Sequence, residues 1–174
     1  NIKTLPYPVF PTDMQPQMAA CLCLAKDGTS IINEGIWENR YRYVDEFKRM
    51  GAEIQVDGKV AVVEGVGQLT GAPLRACDLR AGAAMVIAGL AASGTTEISC
   101  IHYIERGYEN LVGQLQGDGA DIQKWARKPS DPGGHIYLPR RQPLAAALVS
   151  SLNIRRLLSC NCVLLQAVPV ETAP

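Results

Sequence analysis

Charged side chains that could bind anions or move a proton recur at matched positions along the chain. Asp13 and Asp78 are 65 residues apart, Arg40 and Arg106 are 66 apart, and Arg80 follows Asp78 closely. A carboxylate can accept a proton from a substrate hydroxyl, and a guanidinium group binds carboxylate or phosphate through paired hydrogen bonds. The structural alternatives stay open, because an aspartate also suits a helix N-cap and an arginine also suits a solvated surface.

The cysteines and histidines do not have the spacing of a metal site or a disulfide framework. The chain has six cysteines and two histidines, and no CxxC pair stands near His102 or His135. Cys21 and Cys23 lie in an apolar run that predicts a buried helix, where a thiol packs as a small hydrophobe. We therefore expect no metal, no organic cofactor and a reducing cytoplasmic environment.

An internal repeat with an offset of about 66 residues predicts the elements that position these side chains. Asp13 and Asp78 each precede an apolar run that predicts a helix, with the aspartate as its N-cap. Gly28 and Gly94 occupy matched positions, and each predicts the end of that helix. A fixed period with matched turn glycines indicates a duplicated supersecondary unit.

The remaining elements of each unit follow from hydrophobic spacing. Alternating residues predict strands, amphipathic spacing predicts a second helix, and Asp57-Gly58 predicts the turn of a hairpin. The predicted strands are 30–34 and 96–100, the second helices are 45–50 and 109–115, and the hairpin strands are 52–56 and 60–63. Each unit thus reads helix, strand, helix, strand, strand, and the fold class is α/β.

Composition limits the chain to one sizeable core. It has 174 residues, of which 47% are hydrophobic, and its 17 basic and 17 acidic side chains cancel. A neutral chain argues against binding nucleic acid by charge alone. Because no apolar stretch approaches the roughly 20 residues that span a bilayer, no membrane partner is expected.

The charge is distributed unevenly and predicts a boundary after Trp125. Residues 1–125 contain 11 basic and 15 acidic side chains, a net of −4, whereas residues 126–174 contain 6 and 2, a net of +4. The first part is predicted to hold the two repeats, at about 5–70 and 71–125. The segment 126–174 is expected to be a C-terminal extension outside the repeats, either a surface extension or linker or a disordered, non-native end.

Six collinear motifs between about Leu5 and Ile122 resemble the UDP-N-acetylglucosamine 1-carboxyvinyltransferase (MurA) family of enolpyruvyl transferases. The motifs are Phe10-Pro-Thr-Asp-Met-Gln15, Trp37-Glu-Asn-Arg-Tyr41, Met50-Gly-Ala-Glu53, Leu69-Thr-Gly-Ala-Pro73, Asp78-Leu-Arg-Ala81 and Glu105-Arg-Gly-Tyr-Glu109. The resemblance implies an inside-out α/β barrel, of which this chain holds two of the three repeated βαβαββ-type units of one domain. It also implies a substrate cleft between that domain and a second one.

The resemblance also implies an activity. The family transfers the enolpyruvyl group of phosphoenolpyruvate to the 3-hydroxyl of UDP-N-acetylglucosamine and releases phosphate, at the start of peptidoglycan synthesis for the cell wall, and so for cell shape and division. The expected partners are these two substrates and the missing remainder of the enzyme. Because the family's reactive cysteine belongs to a segment without a counterpart here, we expect the chain alone to be inactive.

By the same resemblance, family roles fall on five residues of this sequence. Asp13 matches the aspartate placed at the sugar 3-hydroxyl as general base, and Ile36 matches a contact to the nucleotide sugar. Arg40, Arg80 and Arg106 match arginines that line the cleft around phosphoenolpyruvate and phosphate. No metal or cofactor is implied.

Two other functions remain open at this stage. One is a truncated, catalytically inactive domain that binds a nucleotide sugar. The other is a part of the related enzyme that acts on shikimate 3-phosphate. The shikimate 3-phosphate enzyme is disfavoured, because its charged signatures are absent at Glu38-Asn-Arg40 and at Cys77-Asp-Leu-Arg80.

Overall fold

Two units with a similar order of elements make up the part of the chain that the structure describes. A computed structural model describes residues 1–125 and 133–139. The first unit comprises β1 (Ile2–Thr4), a 3-10 turn (Thr12–Met14), α1 (Gln15–Cys23), β2 (Lys26–Glu34), α2 (Val44–Arg49), β3 (Glu53–Asp57) and β4 (Val60–Val66). The second comprises β5 (Pro73–Arg75), α3 (Leu79–Ala91), β6 (Thr96–Ser99), α4 (His102–Glu105), α5 (Leu111–Gly117), β7 (Gln123–Trp125) and β8 (His135–Leu138).

Each unit forms a four-stranded mixed sheet, and the strand orders β1-β2-β4-β3 and β5-β6-β8-β7 are equivalent. The first two strands of each sheet are parallel, with Ile2 opposite Ile32 in one sheet and Pro73 opposite Glu97 in the other. The remaining pairs are antiparallel. The α/β class and the duplicated unit predicted from the repeat are therefore confirmed.

The strand β8 lies inside the segment that the charge pattern separates from the second unit. It pairs with both β6 and β7, and Ile136 and Leu138 are 2% and 0% exposed. It takes the position in its sheet that β4 takes in the first. The second unit therefore continues past Trp125, because β6 and β7 need this strand between them. Residues 126–132 and 140–174, with the predictions made for them, lie outside the described residues.

Turn and cap residues account for several element boundaries. The Oδ1 atom of Asp78 accepts a hydrogen bond of 2.8 Å from the Ala81 N–H, which confirms the predicted N-cap of α3. Gly58 has φ of +55°, as the tight turn of the β3–β4 hairpin requires. Gly94, with φ of +94°, lies in the turn after α3.

One predicted boundary is wrong. Gly28 does not end α1, because that helix ends at Cys23 and Gly28 lies within β2. The pairing of β2 with β4 shifts register between Lys26 and Thr29. Gly28 therefore stands in a strand irregularity, a position where glycine is also common.

The helices of the two units pack against each other, and each also packs on its own sheet. α1 contacts α3 and β4, and α3 contacts α1 and β6. Ala19 and Ala20 of α1 are fully buried, and α3 is buried along its whole length except at Arg80 and Ala91. Because α3 is apolar on all sides, it must be surrounded by protein, and the contact with α1 provides part of that cover.

We predict that Leu138→Ala lowers the free energy of unfolding by about 2 to 4 kcal/mol, because it removes a fully buried side chain and leaves a cavity against α3. Urea unfolding followed by far-UV circular dichroism measures this change. The control is Val56→Ala, which shortens a side chain that is 41% exposed and should cost about 0.5 kcal/mol. Equal losses for the two variants would show that β8 is not part of the second unit.

Candidate functional site

One carboxylate joins the two units at the centre of the candidate site. Asp13 Oδ1 lies 2.9 Å from Arg40 Nη2, and Asp13 Oδ2 lies 2.8 Å from Arg80 Nη2. Arg40 belongs to the loop between β2 and α2, whereas Arg80 belongs to the first turn of α3. The structure thus brings together three of the five residues that the resemblance marks, from three separate segments.

The expected role of Asp13 as an N-cap is wrong. α1 begins after Met14 with no side-chain cap, and Asp13 lies in the preceding 3-10 turn. Both of its carboxylate oxygens accept hydrogen bonds from arginines. A charged guanidinium is a stronger donor than a helix N–H, which favours the two arginines over the α1 amides as partners of this carboxylate.

The cluster is partly open to solvent and carries a net charge of +1, from two guanidinium groups and one carboxylate. The side chains of Arg40 and Arg80 are 17% and 28% exposed, whereas that of Asp13 is 54% exposed. Arg40 Nη2 also donates a 3.2 Å hydrogen bond to the Thr12 carbonyl. Half-exposed ion pairs add little to the free energy of unfolding. The consequence of this cluster is therefore that it fixes the position of one carboxylate beside two positive charges.

The loop after β2 places Ile36 on the surface. Ile36 is 39% exposed and its neighbour Trp37 is 58% exposed. Their N–H groups donate hydrogen bonds of 3.0 and 3.2 Å to Oε1 of Glu34. Sequence reasoning missed Glu34. The available signal is an acidic residue at the end of a predicted strand, directly before a glycine.

Arg106 has different surroundings from Arg40, although the repeat places them at equivalent positions. Its guanidinium carbon lies 5.9 Å from the centre of the Tyr103 ring, at the C-terminal end of α4. In residues 1–125 and 133–139, the ion pairs of Asp13 are with Arg40 and Arg80. The structure does not join Arg106 to that cluster, and its substrate contact stays a prediction.

Cys21, Cys23 and Cys77 have the properties of packing residues. Cys23 is fully buried, and burial raises the pKa of its thiol to about 12. Burial also raises the pKa values of Cys21 and Cys77. Within the described residues, no group of three or more His, Cys, Asp or Glu side chains could hold a metal ion. In the same part of the chain, none of the helices has the length and apolar character to cross a bilayer.

The amino-acid sequence matches carboxyvinyltransferases over most of its length. Residues 1–115 match the sequence profile of EPSP synthase (3-phosphoshikimate 1-carboxyvinyltransferase). The chain is 61% identical over 122 residues to UDP-N-acetylglucosamine 1-carboxyvinyltransferase 3 of Caldanaerobacter subterraneus subsp. tengcongensis, across 70% of this chain and 29% of that protein. It is 56% identical over 124 residues to UDP-N-acetylglucosamine 1-carboxyvinyltransferase 2 of Clostridium acetobutylicum, across 71% and 29%.

The fold also matches a solved structure of this kind. The enolpyruvyl transferase NikO from Streptomyces tendae superimposes with a TM-score of 0.64 and 34% sequence identity, across 79% of this chain and 29% of that one. The resemblance stated from the six motifs is confirmed by these comparisons, as is the predicted class of fold. The chain spans less than a third of the length of the curated relatives it matches.

We predict that iodoacetamide at pH 7.5 leaves Cys23 unlabelled in the folded chain and labels it in urea. With a pKa of about 12, roughly 10⁻⁵ to 10⁻⁴ of its thiols are ionised at that pH, and the thiolate is the reactive form. Cys100, which is only partly buried, serves as the internal control. Peptide mass spectrometry measures both sites. Labelling of Cys23 in the folded chain as fast as that of Cys100 would contradict a packing role.

Proposed function

The chain belongs to the EPSP synthase family of carboxyvinyltransferases, and from this membership we propose that it forms part of an enzyme that uses UDP-N-acetylglucosamine. In the proposed reaction, the enolpyruvyl group of phosphoenolpyruvate moves to the sugar 3-hydroxyl and phosphate is released. The observation that carries this proposal is the carboxylate of Asp13 held between Arg40 and Arg80.

Asp13 is proposed as the general base. A base must approach the proton that it takes within about 2.6 to 3.2 Å, and a carboxylate that is 54% exposed is accessible to a sugar hydroxyl. The two arginines hold both of its oxygens and so fix the plane of the carboxylate. When Asp13 takes the proton, the sugar oxygen bonds to C2 of phosphoenolpyruvate, while C3 gains a proton from an acid that the rest of the enzyme is proposed to supply. In the second step the C2–O bond to phosphate breaks and C3 returns a proton to that group, which restores the double bond. The proton held by Asp13 leaves with the released phosphate.

The arginines are proposed to hold phosphoenolpyruvate beside this base. Each one contacts Asp13 through Nη2, one of the three nitrogens of its guanidinium group. The net charge of +1 suits a substrate that carries both a carboxylate and a phosphate. We extend the proposal to Arg106 as a further ligand of this substrate, and to exposed Ile36 as a contact for the nucleotide sugar.

The remainder of the enzyme is proposed to complete the site. The carboxylate of Asp13 is half-exposed, so water reaches the proposed base in this chain alone. Closing an active site expels water and strengthens the electrostatic interactions inside it. Since the matched region is 29% of each relative, we propose that another part of the protein covers the cluster and supplies the reactive cysteine. The same proposal places the reaction in the cytoplasm, at the first committed step of peptidoglycan synthesis.

Phosphate release tests the proposed function. The chain is mixed with the separately produced part of the Caldanaerobacter relative that it does not match, and both substrates are added. We expect release only when both proteins and both substrates are present. Release from the chain alone would contradict the half-site, and no release from any mixture would favour a domain that binds nucleotide sugar without catalysis.

We predict that Asp13→Asn lowers kcat in this mixture by about 10² to 10⁴-fold, because the amide cannot accept the hydroxyl proton. The matched control is Asp57→Asn, which makes the same substitution at an exposed aspartate at the end of β3, next to the hairpin turn. Unchanged activity in Asp13→Asn, with the control also unchanged, would exclude Asp13 as the base.

A further inference from the structure

We propose that Glu34 is a positioning residue, which couples the loop Gly35–Trp37 to the segment Thr12–Asp13 and so sets the distance between the proposed sugar contact and the proposed base. This inference rests on the proposed function, because that function gives Asp13 and Ile36 their substrate roles. Glu34 lies at the end of β2 and is fully buried.

One oxygen of Glu34 fixes the loop. Its Oε1 atom accepts hydrogen bonds from the N–H groups of Ile36 at 3.0 Å and Trp37 at 3.2 Å. A buried carboxylate that lacked such donors would be strongly destabilising. The loop must therefore keep these two N–H groups turned towards Glu34, and that orientation leaves the Ile36 and Trp37 side chains exposed.

The other oxygen of Glu34 holds the segment that carries the proposed base. Its Oε2 atom accepts a hydrogen bond of 2.9 Å from the hydroxyl of Thr12. The carbonyl of Thr12 accepts a second one from Arg40, the same guanidinium that contacts Asp13. Thr12 is thus fixed through its side chain and its backbone, so a shift of the Glu34 carboxylate moves the residue next to Asp13.

The loop has little room for any other position. The Gly35 N–H donates a 2.9 Å hydrogen bond to the hydroxyl of Thr4, which is fully buried. A Cβ atom added at Gly35 would clash with the Thr4 carbonyl oxygen. Since a displacement of about 1 Å can reduce a reaction rate about 10²-fold, a single carboxylate that sets two substrate contacts has a measurable effect on catalysis.

Thr12→Val tests the coupling, because it removes the hydroxyl that binds Glu34 and leaves the loop hydrogen bonds in place. In the reconstituted mixture we expect KM for UDP-N-acetylglucosamine to rise about 3 to 10-fold, while KM for phosphoenolpyruvate stays within twofold. In the chain alone, we expect amide hydrogen exchange at Ile36 and Trp37 to become at least fivefold faster. The matched control is Thr70→Val, which removes a hydroxyl bond to the Met50 carbonyl and should change neither quantity.

Glu34→Gln separates geometry from charge. Its amide oxygen can accept both loop N–H groups, and its amide nitrogen can donate to the Thr12 hydroxyl, so we expect KM within threefold of the unmodified chain. Glu34→Ala should raise KM for the sugar nucleotide as Thr12→Val does. An inactive mixture of the unmodified proteins would refute the proposed function, and the exchange rates would still decide the coupling. Identical amide exchange rates and identical KM values in Thr12→Val and Thr70→Val would overturn the proposed coupling through Glu34.

Discussion

The contact between α1 and α3 is the constraint on which the candidate site depends. Asp13 precedes α1 and Arg80 opens α3, so the 2.8 Å distance between their charged atoms is set by how closely these helices pack. Ala19 and Ala20 are fully buried in α1, and small residues allow close approach of two helices. The ion pairs are too exposed to impose this arrangement themselves. Hydrophobic packing positions the charges, and the charges then orient the carboxylate.

The two units share a scaffold, and the candidate site forms where their side chains differ. The two sheets have equivalent strand orders, yet equivalent aspartates act differently: Asp78 caps α3, whereas Asp13 contacts two arginines. The equivalent arginines also differ, since Arg40 holds Asp13 and Arg106 lies over Tyr103. A symmetric pair of units would contain two identical half-sites, whereas the Asp13 cluster in the described residues draws its members from both units.

Local patterns predicted the fold better than the details of the site. Period and turn residues located the helices and strands, because these signals depend on neighbours in sequence. The orientation of Asp13 depends on Arg80, 67 residues away, and no local pattern contains that information. Glu34 was missed for a similar reason, since burial of a charged residue is decided by tertiary contacts. The strand β8 was missed because the change in charge composition after Trp125 suggested an unrelated segment.

A crystal structure of the chain, reconstituted with the remainder of a relative and bound to UDP-N-acetylglucosamine, tests the central claim most directly. The account predicts the sugar 3-hydroxyl within about 2.6 to 3.2 Å of a carboxylate oxygen of Asp13, with Arg40 and Arg80 on either side of that carboxylate. A sugar bound away from Asp13, or a carboxylate that releases both arginines and leaves the cleft, would contradict it.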